Sequence, residues 1–216
     1  ELIRKFRLAP RLHLDHKERM GASVSSRIPR RPAALEQFLA IPVEDRFHEL
    51  INGQLVAKVS PVLSHQLVVG NVSSLLSPYN RAPRRGRRGG WLIASEVEIS
   101  YNTRNILRPD IVGWRRDRIP DDLNLDDTMS LRPDWICEVV SKTNSRRDTI
   151  TKRHLYARFG VPHYWIIDPR KKSLAVLQLQ GKEYSDVLIA HAGETVQAAP
   201  FDDTSLRLSR LFGIVQ

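Results

Sequence analysis

The sequence predicts an α/β domain, in which strands and helices share one core and an antiparallel meander follows. Three observations predict it. An apolar strand-like run, Trp135 to Val140, leads into a helical stripe and then into a second strand-like run, His163 to Ile167. Two more such runs, Ser173 to Leu179 and Glu183 to Ala190, follow across Asp168-Pro169 and Gln180-Gly181 turns, the spacing of a meander. The length of 216 residues, 41% of them hydrophobic, suffices for one good-sized core and not comfortably for two.

In chain order, Glu1 to Arg31 mix Arg and Lys with few large apolar residues and no sustained period, the composition of a basic, poorly ordered extension. The domain proper is expected over residues 32–216. A short helix at Ala33 to Ala40 opens it, and two strand-like runs flank Asn52-Gly53, a strong hairpin signal. Val68, Val69, Val72, Leu75 and Leu76 recur at helical spacing within a predicted helix from about Val62 to Tyr79. Arg81, Arg84, Arg85, Arg87 and Arg88, broken by Pro83, Gly86 and Gly89-Gly90, then read as a loop. That loop is either a solvated basic segment or a phosphate-contacting arm. Strands are expected over Trp91 to Tyr101 and Ile106 to Trp114, and an acidic connection carrying Asp121, Asp122, Asp126 and Asp127 leads to Trp135. The helix after Val140 ends at Gly160, a residue suited to a left-handed cap.

The net charge of +10, with a pI near 10.2, favours anionic partners, nucleic acid first. No window is apolar enough to span a bilayer, and Arg4, Lys5, Arg7 and Arg11 precede no secretory apolar segment. Cys137 is the single cysteine, so an intrachain disulfide is excluded and a cytoplasmic location is expected. Cys and His spacings of zinc type are absent.

Two carboxylates stand where apolar residues are expected. Alternation along Trp135 to Val140 sets Glu138 on one face with Ile136 and Val140, and a buried carboxylate needs a partner or a metal. A salt-bridged glutamate is the plainer alternative. Asp110 shares a face with Val112 and Trp114. Acids on two central strands can converge on one hard cation, and Mg²⁺ takes one or two carboxylates and completes its shell with water and phosphate. In the following helix Lys152, Leu155, Tyr156 and Phe159 form one stripe, which puts Lys152 at the edge of the buried face within reach of Glu138. The alternative is an exposed Asp148–Lys152 pair. Ser145 and Asp148 suit an N-cap and its partner. Glu49 either completes a metal shell or faces solvent, and His65 reads as a cap or surface residue. Tyr156 and Trp165 read as core.

The order Asp110, Glu138-Val139-Val140-Ser141, Asp148, Lys152, Tyr156 and Gly160 through Pro169, with Glu49 through Gly53 upstream, resembles the Uma-two family of the PD-(D/E)XK nuclease superfamily. The likeness spans about Ala33 to Phe212. It implies a restriction-endonuclease-like core, a mixed sheet flanked by helices, and a Mg²⁺-dependent endonuclease, with Mn²⁺ as a substitute, acting on nucleic acid and by first expectation on DNA. Asp110, Glu138 and Lys152 would be catalytic; Asp110, Glu138 and Glu49 would hold metal; and Arg84, Arg85, Arg87 and Arg88 would contact the substrate. The superfamily places a lysine two residues after the acid, where this chain has Val140. The resemblance assigns that role to Lys152, with Lys142 the lesser substitute. The competing reading is a nucleic-acid-binding module that has kept the fold and lost its chemistry. A double-strand cutter usually needs two sites, so a homodimer is one form to expect, and the sequence leaves the oligomeric state open.

Overall fold

The computed structural model describes residues 32–58, 60–82, 89–124, 128–141 and 146–214, with only the backbone considered at 146–149. The extension Glu1 to Arg31 and the arginines at 84, 85, 87 and 88 lie outside the described residues, as do Lys142 and Ser145.

The chain opens with helix α1 (Ala33–Ala40), hairpin β1 (His48–Ile51) and β2 (Gln54–Ala57), and helix α2 (Leu63–Leu76). Strands β3 (Trp91–Ser95), β4 (Ile99–Asn102), β5 (Asn105–Leu107), β6 (Ile111–Arg115) and β7 (Trp135–Val139) follow. Helix α3 (Arg146–Arg158) leads to β8 (His163–Asp168), β9 (Ser173–Gln180) and β10 (Glu183–His191), and the chain closes with β11 (Thr195–Ala198), β12 (Phe201–Arg207) and α4 (Leu208–Leu211).

Ten of these strands form a six-stranded sheet, in order β10-β9-β8-β7-β6-β3, and a four-stranded sheet, in order β2-β1-β5-β4, and β11 pairs with β12 as an antiparallel ribbon. The larger sheet is mixed. Strands β7 and β8 run parallel, with α3 as their connection, and their neighbours run antiparallel. Strands β8, β9 and β10 form the expected meander, here as part of the central sheet. The β1–β2 turn has φ of 52° at Asn52 and 80° at Gly53, the left-handed pair that a two-residue hairpin needs.

Two expected strands are each broken in two. The run from Trp91 divides at 96–98 and the run through Asp110 divides at 108–110, because at both places the chain passes from one sheet to the other. Glu96, with φ of 58°, makes the first turn. Helix α2 ends at Leu76, three residues short of the expected Tyr79. Strands β11 and β12 and helix α4 have no counterpart among the elements read from the sequence.

Alternation along β7 divides the core in two. Trp135, Cys137 and Val139 join α2, β12 and α4 on one face, while Ile136 joins α3, Tyr164 and Leu177 on the other. Phe201 sits about 5 Å, centroid to centroid, from both Trp91 and Trp135, and each such pair adds roughly 0.5–1.5 kcal/mol beyond its buried area. The end of α3 is fixed by Gly160 at φ 75°: its N–H donates to the Ala157 carbonyl and that of Val161 to the Tyr156 carbonyl, a Schellman ending. That lock sets the rotation of α3 over the sheet, so that Lys152, Leu155 and Tyr156 are all buried.

Candidate active site

The break between β5 and β6 carries the first acid. Asp110 stands one residue before β6, and the β6–β7 register, which pairs Ile111 with Cys137, runs on to bring Asp110 beside Glu138. Its Oδ2 accepts the Val139 N–H at 2.7 Å, which ties the carboxylate to the neighbouring strand. Glu138 lies on the α3 face of β7 and is 8% exposed.

Glu138 is met from above by α3. Its Oε1 accepts from Lys152 Nζ at 3.0 Å and from Tyr156 Oη at 2.7 Å, so the i, i+4 stripe places both donors on one oxygen. Lys152 Nζ also lies 2.9 Å from Glu49 Oε1, and that oxygen accepts the Arg108 N–H at 2.8 Å. The buried ammonium thus bridges an acid from each sheet. Burial pushes the Glu138 carboxyl up to about 7; Lys152 opposes the rise, and the Asp110 and Glu49 charges add to it. Burial works against the charge on Lys152, but Glu138, Glu49 and Asp110 outweigh it and hold the ammonium above the usual lysine range. Burial and the Glu138 charge keep the Tyr156 phenol far above its ordinary value, so it stays a proton donor.

Asp110 has a second set of partners. His65 Nε2 lies 3.1 Å from Oδ2, and Lys58 Nζ lies 3.0 Å from Oδ1. Burial favours the neutral acid, yet the His65 hydrogen bond and the Lys58 charge prevail and hold Asp110 well below the carboxylate range. Lys58 Nζ also reaches Glu96 Oε1 at 2.6 Å, Glu96 Oε2 at 2.7 Å and the Arg108 carbonyl at 2.9 Å. The result is a continuous run of charge, half-buried at Glu96 and Lys58 and buried at Asp110, Glu138, Lys152 and Glu49.

A family model described as "Putative restriction endonuclease" matches residues 35–209. The chain belongs to the Uma2 family. The fold of this Uma2 chain is shared with a crystal structure from Anabaena variabilis, described as a putative nuclease belonging to DUF820. The two are 21% identical, with a TM-score of 0.64 over 83% of this chain and 97% of that one. No curated protein matches the sequence. The restriction-endonuclease-like α/β fold expected from the Uma-two resemblance is the fold observed.

Of the residues singled out in the sequence, Asp110, Glu138, Lys152 and Glu49 come together in one charged cluster of this Uma2 chain. Among the described residues no set of three or more His, Cys, Asp or Glu converges closely enough to hold a metal ion by itself, and Lys58 and Lys152 each pair with one of the acids. Glu49 is buried on Lys152 and does not face solvent. His65 is not the cap or surface residue expected: α2 turns it inward, 6% exposed, onto Asp110. Tyr156 is core, as read, and its hydroxyl also donates to Glu138 Oε1. Lys58 and Glu96 were missed. Lys58 left a weak signal as the lone cation closing the apolar end of β2, whereas Glu96 looked like one residue of an unbroken strand. Among the described residues no helix is long and apolar enough to cross a membrane.

Proposed function

We propose that this chain is a metal-dependent nuclease that hydrolyses phosphodiester bonds, with DNA the first substrate to test. The observation that carries the reading is Lys152, which reaches Glu138 from α3 and supplies the cation missing at Val140. Family membership and the shared fold with a protein described as a putative nuclease support the same reading.

The donor set fits Mg²⁺. Asp110, just before β6, and Glu138 on β7 are adjacent hard oxygen donors, two carboxylates are enough for that ion, and among the described residues no hydrogen-bond donor reaches Glu138 Oε2. Bound there, Mg²⁺ would activate water and neutralise charge on the phosphate oxygens. Lys152 holds one Glu138 oxygen and so turns the other outward, and its ammonium is placed to stabilise negative charge beside that carboxylate. Tyr156 fixes the same oxygen, and His65 with the Val139 N–H fixes the rotation of Asp110. Glu49 anchors Lys152 from the second sheet and serves the metal at most from behind it. The basic extension and the arginines at 84, 85, 87 and 88 supply charge for the phosphate backbone, and a homodimer would bring two sites to a duplex.

Plasmid nicking in Mg²⁺ tests the reading. Asp110→Asn is expected to cut at least about 10²-fold slower while keeping the wild-type circular dichroism spectrum. Cleavage by Asp110→Asn at the wild-type rate would sink the assignment. A second reading, a binding module without chemistry, is favoured by Val140 in the strand-lysine position. It requires DNA binding that falls steeply with salt and ignores Mg²⁺.

A further inference from the structure

Lys58 is surrounded by more oxygens than it can serve. An ammonium has three N–H bonds, yet four oxygens lie 2.6–3.0 Å from Nζ: both of Glu96, the Arg108 carbonyl and Asp110 Oδ1. The four sit at hydrogen-bond distance around the ammonium, and carboxylate and carbonyl oxygens are also the donors that a hard divalent cation takes. Two separate segments build this cage and a third fills it. Lys58 enters from the end of β2, Glu96 from the first crossing between sheets, and Arg108 and Asp110 from the second. Glu96 grips the ammonium with both oxygens from a residue at φ 58°, a strained conformation for a non-glycine residue. The Lys58 side chain is only 14% exposed. Asp110 closes the cage with Oδ1 and turns Oδ2 toward β7.

We propose that Lys58 is a built-in second cation: its ammonium fills an oxygen cage next to the Asp110–Glu138 pair that would otherwise take a divalent ion such as Mg²⁺, Mn²⁺ or Ca²⁺. The site then accepts one exchangeable metal instead of two, and the second positive charge comes with the chain. This rests on the reading of Asp110 and Glu138 as a metal pair. It assigns Lys58 a positioning and charge-supplying role on Asp110, with no contact to the reacting atoms.

The test is the number of Mn²⁺ ions bound per chain, from isothermal titration and from the electron paramagnetic resonance signal of free Mn²⁺. Wild type is expected to bind one ion, Lys58→Ala two, and the double variant Lys58→Ala, Glu96→Gln one again. If Lys58→Ala unfolds without metal, its melting temperature is followed in Mn²⁺ and Ca²⁺ instead. The cage then requires that metal restore folding, and more so than in the double variant. One ion in both wild type and Lys58→Ala, with no extra stabilisation by metal, would overturn the cage and leave the nuclease reading intact. Two ions in wild type would also overturn it. No ion in wild type and one in Lys58→Ala, lost with Glu96→Gln, would keep the cage and overturn Asp110–Glu138 as a metal pair.

Discussion

Glu138 and Asp110 are neighbours in space with opposite electrostatic fates, and that contrast belongs to individual residues. Asp110 is held ionised by His65 and Lys58, so its stabilising contribution is present above its ordinary carboxylate range and disappears only in strong acid. Burial raises Glu138 to about 7, so the folded state binds a proton there that the unfolded chain has released. Its contribution is full below the ordinary glutamate value and is lost as pH rises through 7. Wild type is therefore expected to lose thermal stability from pH 5 to pH 8 more steeply than Glu138→Gln, and calorimetry of the two proteins across that range reads the difference. Parallel slopes would show that Glu138 does not titrate there. The same ionisation frees an oxygen for a cation, so Mn²⁺ affinity should increase across the same interval. At this scale the sequence was readable where a charge interrupts an apolar pattern, as at Glu138, Asp110 and Lys152. His65 was not, since one histidine on a helix does not reveal which way it turns.

Elements were legible where their period was self-contained. Helix α1, the Asn52-Gly53 hairpin, β7 and the meander follow from patterns within single segments. Strand breaks at 96–98 and 108–110 did not show, because sheet crossing depends on where the other sheet lies and leaves alternation nearly intact. Those breaks make the site: Glu96 and Asp110 lie there, off the regular ladder. Strand β6 also explains its central glycine. A Cβ at Gly113 would stand 3.2 Å from the Trp135 ring and 3.3 Å from that of Trp91, so the strand lies tight between two indoles. Gly113→Val should cost about 1–3 kcal/mol through overpacking, measured by urea unfolding. A cost near zero would mean that the two indoles yield freely.

The whole molecule depends on a part that is scarcely visible in the sequence. Strand β11 is short, and β12 carries Asp202, Asp203 and Thr204 between Phe201 and Leu206, so no period announces them. Yet Phe201 packs with Tyr79, Trp91, Trp135 and Trp165, under the face of β7 opposite Glu138. Phe201→Ala is expected to cost about 3–5 kcal/mol, and equilibrium unfolding followed by tryptophan fluorescence reads it directly. A loss below 1 kcal/mol would mean that β12 is an appendage. Above this core, both sheets and α3 deliver their charges to one place, and the central claim is that this place binds a divalent ion and cuts. The most direct measurement is Mg²⁺ titration calorimetry paired with plasmid nicking on the same samples of wild type and the Asp110→Asn, Glu138→Gln double variant. Binding and nicking present together in wild type and lost together in the variant are the results expected. Wild type that binds no metal, or a double variant that still nicks, would contradict the account.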